Sequence, residues 1–164
     1  MDAKIIVVDR DDEIINYKER GTLNPEDIYR VSALWITSRE GSILLAKRSL
    51  NKELFPGCWG PAVSGTVEQE ETYHSNIIKE AKEELGLLKI RPKKGPKVRI
   101  TSDEYNYFTQ WFLLTLDKEL GRLDINREEI SRLRWFGRKE LKRKVYKDPK
   151  EFTHAMKKWI DIFC

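Results

Sequence analysis

Short apolar runs occur in adjacent pairs along this chain, and that pairing restricts it to folds built around a sheet. Ile5–Val8 and Ile14–Tyr17 flank the turn-forming Asp9-Arg10-Asp11-Asp12, and Tyr29–Thr37 and Ser42–Lys47 flank Ser38-Arg39-Glu40-Gly41. Each pair is rich in β-branched and aromatic residues on either side of a turn, which predicts hairpins. Arg99–Thr101, Phe108–Leu116 and Leu133–Phe136 read as further strands. Asn51–Pro61, with two glycines and two prolines, reads as a loop, Lys89–Lys97 as a basic loop, and Asp124–Ser131 as a polar stretch with a helical turn.

Two segments have a helical period instead. In Thr72–Leu85, Ile77, Ile78, Ala81 and Leu85 share one face, with Thr72 as N-cap and Gly86 as C-cap. Asp148-Pro149-Lys150-Glu151 pairs a cap, a first-turn proline and an acid, and opens a helix to about Ile162 with Phe152, Met156, Trp159 and Ile160 on its buried stripe. Paired strands with a few helices predict an α+β domain, a mixed sheet between helices, and 164 residues suit one domain spanning 1–164.

The chemistry concentrates in the first helix. Glu80, Glu83 and Glu84 stand at i, i+3 and i+4, so their carboxylates share one narrow sector, roughly 125° from the apolar face. Like charges that close repel unless a cation sits among them, and oxygen donors suit Mg²⁺ or Mn²⁺. The alternative is a solvated acidic face with Lys79 and Lys82 as partners.

The spacing around this helix decides between them. Gly65, Glu71, Lys79-Glu80-Ala81, Glu83-Glu84 and Gly86-Leu87 resemble the Nudix box, G-x5-E-x7-R-E-U-x-E-E-x-G-U with U apolar, at eight of nine specified positions over 23 residues. Lys79 stands where that family has arginine, Glu70 where a glycine usually precedes the acid, and Ser64 where a second glycine is frequent. Phe55-Pro56-Gly57-Cys58-Trp59 resembles the F-P-G-x-W stretch upstream of the box, and Glu129-Ile130 with Trp135-Phe136 a downstream segment of the family. The likeness covers roughly residues 30 to 160.

The resemblance implies a Nudix fold, an α/β/α sandwich, and a MutT-like hydrolase that cleaves the diphosphate of a nucleoside diphosphate-X or a related organic pyrophosphate. It implies Glu80 and Glu84 as metal ligands, Glu83 sharing ligation or activating water, and a backbone carbonyl at Ser64 or Gly65 completing the shell. Glu71 would brace the loop or join the metal. Lys79 keeps the charge of the family arginine without its forked geometry, and could pair with Glu83 one turn on. Arg48 and Lys52 are candidate phosphate contacts and Trp59 a candidate substrate contact; Glu128 and Glu129 lie where the family often takes a further ligand or base.

Arg48 and Lys52, four apart, also resemble isopentenyl-diphosphate isomerase, a Nudix-fold enzyme. That activity is the alternative reading. Against it, the isomerase uses a cysteine just after F-P-G-x-W, and Gly60-Pro61-Ala62-Val63-Ser64 has none, while Cys58 is out of register. Its metal site is histidine-rich, and this chain has only His74 and His154, neither assigned a role. A third reading is a nucleotide- or RNA-binding module of weak catalysis. The net charge of +4, with a cluster from Lys89 to Arg99, hints at an anionic partner, but no stacking aromatic interleaves that cluster. Among Trp35, Tyr105, Tyr107, Trp111 and Trp135, most are expected in the core. No run approaches the ~18 apolar residues of a membrane span, and Met1–Ile5 lacks a signal-peptide core, so the expectation is a cytoplasmic protein, not membrane-bound. Its partner is a small-molecule diphosphate, with nucleic acid the lesser expectation and a homodimer left open.

Overall fold

A computed structural model of the chain describes residues 2–119 and 123–164; Met1 and residues 120–122 of the expected 1–164 domain lie outside them. The described residues form a nine-stranded mixed sheet with helices on both faces. The strands are β1 (Ile5–Val8), β2 (Ile14–Lys18), β3 (Ile28–Thr37), β4 (Ile43–Arg48), β5 (Trp59–Pro61), β6 (Val63–Thr66), β7 (Lys93–Thr101), β8 (Asn106–Thr115) and β9 (Ile130–Phe136). The helices are α1 (Tyr73–Leu85), α2 (Arg138–Lys147) and α3 (Met156–Phe163).

Strand β3 is the hub. It pairs antiparallel with β1, β4 and β6 and parallel with β8. Side chains alternate across a strand, so both faces of the central strands are apolar and both are covered. Ala33, Trp35, Ile43, Leu45 and Trp111 pack on one face with α2 and α3, through Leu141, Val145, Met156, Trp159 and Ile160. Leu34, Ile36, Leu44, Ala46 and Phe112 pack on the other with Ile77, Ala81 and Leu85 of α1.

The paired strands β3 and β4 touch only at Ile36–Leu44 and Thr37–Ile43. Beyond that point they diverge. β6 takes up the edge of β3 from Val31 to Leu34, and β5 the edge of β4 from Leu45 to Lys47. The wedge between them opens a passage from one face of the sheet to the other.

Two sequence expectations are corrected, and one helix appears that the sequence did not announce. Lys89–Lys97 is not all loop, because β7 begins at Lys93. Its Gly95-Pro96 sits in a register shift between Lys94 and Lys97, and the freed Gly95 carbonyl accepts from Gln110 Nε2 at 2.8 Å. A proline is tolerated there because β7 is an edge strand. The basic stretch after Gly137 is the helix α2, with only Leu141 and Val145 buried. The last helix does not start at Pro149. One 3-10 turn, Pro149–Glu151, ends at Phe152, whose neighbour Thr153 donates its amide to the Trp59 carbonyl at 2.9 Å. Strand β5 captures this segment and breaks the helix. The expected stripe of Phe152, Met156, Trp159 and Ile160 is buried nonetheless.

Asp12 locks the β1–β2 turn onto the body. It holds φ +63 and accepts from Arg30 Nε at 2.7 Å, Tyr73 Oη at 2.9 Å and Lys97 Nζ at 2.6 Å.

Candidate active site

Helix α1 forms where its sequence asks. Thr72 Oγ1 accepts from the Ser75 amide at 3.0 Å, Ser75 Oγ accepts from the Thr72 amide at 2.9 Å, and Gly86 closes the far end at φ +67. With Ile77, Ala81 and Leu85 fully buried against the sheet, the sector carrying Glu80, Glu83 and Glu84 faces the wedge.

A cleft of about 960 Å³ opens there. At one end it is lined by Glu80, Glu83, Glu84, Glu128 and Glu129, with Ser64–Thr66 of β6. Gly65 comes so close to Glu80 that a Cβ on it would lie 2.6 Å from Glu80 Cγ and Cδ. That contact is the reason this position has no side chain.

The Glu80 and Glu84 carboxyls are both pushed up. Burial is the main cause for each. Glu83 and Glu71 add to it at Glu80 against the pull of Lys79, and Glu80 and Glu129 add to it at Glu84 against the pull of Lys52. Glu83 is exposed at the rim. Among the described residues, no three His, Cys, Asp or Glu side chains already stand in the spacing of a metal site.

Lys79 does not pair with Glu83. Its Nζ reaches back to Glu71 Oε1 at 2.5 Å, with Glu68 at 3.5 Å and Glu80 at 3.7 Å. Glu71 Oε2 accepts from the Glu68 amide at 2.9 Å and from Asn76 Nδ2 at 2.8 Å. Burial opposes ionisation of Glu71, but these bonds, Lys79 first, hold its carboxyl below the usual range. Both Glu71 oxygens are thus engaged, one by Lys79 of the helix and one by the Glu68 amide and Asn76. Buried Asn76, which also accepts from Ser32 Oγ, links these bonds to β3. Glu70 keeps a left-handed φ of +72, so the turn survives the loss of the usual glycine at a cost of about 1 kcal/mol.

Arg48 and Lys52 both line the cleft. Arg48 Nε donates to the Leu54 carbonyl at 2.8 Å, and Lys52 Nζ to Glu129 Oε2 at 2.5 Å. Neither stands idle for phosphate. The Trp59 ring packs edge-on against Phe136 at 5.2 Å, beside the cleft-lining Gly60 and Pro61. Cys58 Sγ donates to the Lys150 carbonyl at 3.4 Å and also lies outside the cleft.

The other end of the cleft is on the α3 side of the sheet. Val31, Ala33, Thr109 and Trp111 form its floor, and Phe55, Tyr105, Tyr107 and His154 stand over it. As the sequence suggests, Trp35, Tyr107 and Trp111 are buried in the core, and Tyr107 and Trp111, with the half-buried Tyr105, also border the cleft. His154 had no role assigned from the sequence. Its Nε2 bonds to Tyr107 Oη at 2.8 Å, and burial holds its imidazole below the usual range. No local pattern announces that contact, since it joins β8 to the approach of α3.

Comparison with known proteins agrees with this geometry. The family model for the NUDIX domain matches residues 28–156. A prenyl-diphosphate phosphatase from Methanosarcina mazei is 32% identical over 156 residues, covering 93% of this chain and 90% of that protein. An isopentenyl-diphosphate Delta-isomerase from Salmonella paratyphi B is 35% identical over only 66 residues, 40% of this chain and 36% of its own length. Among solved structures, DR0079 from Deinococcus radiodurans superposes with a TM-score of 0.81 at 21% identity, covering 97% of this chain and 98% of its own, a likeness of fold.

Proposed function

The chain belongs to the Nudix family and is a Nudix hydrolase, and from that premise we propose that it hydrolyses the diphosphate of a prenyl diphosphate with the help of a divalent cation. One observation carries the reading. The cleft joins an acidic edge on the α1 side to an aromatic and aliphatic chamber on the α3 side, which matches a molecule with a dense anion at one end and a hydrocarbon at the other. The prenyl-diphosphate phosphatase similar over nearly the whole chain supports the same choice.

The donor set fits a divalent cation. Glu80 and Glu84 are carboxyls one turn apart whose ionised forms are opposed by burial first and by neighbouring carboxylates second, and a cation there would offset that cost. Glu80 and Glu84 would hold it, with exposed Glu83 turning in and a carbonyl of Ser64 or Gly65 nearby. When bound, Mg²⁺ or Mn²⁺ neutralises diphosphate charge and acidifies a water. Lys79, Glu71 and Asn76 keep Glu80 and the β6 loop in register. Glu129, bonded to Lys52 and close enough to Glu84 to raise its carboxyl, is the further acid of the site. Lys52 exchanges this partner for a phosphate oxygen, and Arg48 flanks it. One domain spanning 1–164 serves this reaction, without nucleic acid. No helix among the described residues is long and apolar enough to cross a membrane.

The test is hydrolysis with Mg²⁺ or Mn²⁺, read as inorganic phosphate from dimethylallyl, geranyl and farnesyl diphosphates, as AMP from ADP-ribose and as nucleoside monophosphate from nucleoside triphosphates. Release from prenyl diphosphates that Glu84→Gln abolishes is expected. Hydrolysis of ADP-ribose or nucleotides alone refutes the substrate class. Conversion of isopentenyl to dimethylallyl diphosphate without phosphate release would make the isomerase alternative correct, although the segment 60–64 contains no thiol and Cys58 lies outside the cleft.

A further inference from the structure

The α3 end of the cleft is closed by three rings from distant parts of the chain. Phe55 comes from the β4–β5 loop, Tyr105 from the turn before β8, and His154 from the segment entering α3. Tyr105 and His154 stack at 3.9 Å and 13°, and Phe55 lies 5.2 Å from His154 and 6.2 Å from Tyr105. Tyr107 fixes the imidazole from below.

Clustered rings are ordinary in a core, but this cluster is not finished core. Phe55 holds φ +51, which a bulky residue adopts only when its surroundings impose it. Below the rings, Thr109 Oγ1 and Trp111 Nε1 are buried without a hydrogen-bond partner, although both residues line the cleft. Unmet polar atoms in a chamber wall mark a surface shaped to face something other than protein. The π-face of an alkene is a weak acceptor for such groups. Phe55 is also only three residues from Lys52, so the loop that carries one ring carries the partner of Glu129.

We propose that Phe55, Tyr105 and His154 form the roof of the chamber that receives the prenyl chain and set the chain length the enzyme accepts. The inference rests on the prenyl diphosphate reading above. A chain long enough to reach the roof packs against the rings and settles the 49–58 loop. Binding energy from the remote end thereby positions Lys52 and Glu129 beside Glu84, at the reacting end. A chain too short to reach it leaves the loop unsupported.

The test is the ratio of kcat/KM for farnesyl over dimethylallyl diphosphate, measured in the wild type and in Phe55→Ala, Tyr105→Ala and His154→Ala. A ratio within one preparation does not depend on the folded fraction, so partial misfolding cannot imitate the effect. The ratio is expected to move by about tenfold or more in at least two variants, the scale of discrimination in apolar pockets. Inhibition by inorganic pyrophosphate, which has no chain, is expected to stay nearly constant. Wild-type turnover of prenyl diphosphates with an unchanged ratio in all three variants overturns the roof and leaves the function standing. Turnover of ADP-ribose with none of the prenyl diphosphates overturns both. An equal loss of pyrophosphate inhibition in the variants also overturns the roof, because the rings would then act on the anion site.

Discussion

Gly65→Ala separates stability from catalysis at a single atom. The new Cβ would lie 2.6 Å from Glu80 Cγ and Cδ and 2.7 Å from Oε1. Carbon atoms at rest stay about 3.5 Å apart, so Glu80 must retreat by roughly 1 Å. Lys79 Nζ stands 3.7 Å from Glu80 Oε1, so the retreat disturbs that pairing as well. A displacement of that size at a reacting centre costs about 10²-fold in rate. The backbone raises no objection, because Gly65 is not among the residues with positive φ. Alanine in a strand gains about 0.5–1 kcal/mol over glycine, which offsets part of the crowding. The variant is therefore expected to melt within a few degrees of the wild type while kcat on a prenyl diphosphate at saturating Mg²⁺ falls about a hundredfold. Calorimetry and steady-state phosphate release measure the two sides. A folded variant with kcat within about threefold of wild type would refute the claim that Glu80 works from this position.

Two further substitutions probe the charges. Glu84→Gln removes a buried carboxyl that Glu80 and Glu129 oppose, so the metal-free protein should melt higher. The folded-state pKa of Glu84 is raised, so its favourable contribution is present below the ordinary carboxylate range and lost as pH rises through the raised value; the variant should lack that decline. Mg²⁺ at about 100 times its Kd should stabilise the wild type by roughly 2.7 kcal/mol and the variant by far less, and an undiminished shift in thermal melts would remove Glu84 from the metal site. In Asp12→Asn, asparagine accepts the left-handed backbone but loses the charged bonds to Lys97 and Arg30, at about 2 kcal/mol by urea unfolding at neutral pH. Burial opposes ionisation of Asp12, yet Lys97, Arg30 and Tyr73 hold its carboxyl low, so its contribution is lost as pH falls through that lowered value; equal stabilities of variant and wild type at neutral pH would refute the role.

What the sequence discloses is what neighbours along the chain decide. The caps at Thr72 and Gly86, the apolar stripe of α1 and the shared sector of Glu80, Glu83 and Glu84 are all local, and the structure repeats them. The strand β7 was hidden because Lys93-Lys94-Gly95-Pro96-Lys97 has no strand propensity of its own; β8 imposes it by pairing. The helix α2 was hidden because two buried side chains in ten residues make a faint stripe. The expected final helix is broken by a hydrogen bond from a strand far earlier in the chain, Thr153 to Trp59. The bond of Glu129 to Lys52 and that of His154 to Tyr107 are tertiary in the same way. Lys79 was read one turn forward along the helix, whereas the attraction of Glu71 on the loop below prevails.

The wedge between β3 and β4 has a consequence for folding order. Its walls belong to β5 and β6, but its floor needs β8 laid parallel against β3, with Tyr29 beside Tyr107 and Ala33 beside Trp111. Parallel pairing across so long an intervening chain forms slowly, after local hairpins such as β1–β2. The carboxylate edge of α1 can thus exist on a nascent chain well before there is any chamber for a substrate to enter. Amide exchange pulsed during refolding should find α1 protected early and the β3–β8 ladder late, so that competence to bind arrives as the last property of the fold.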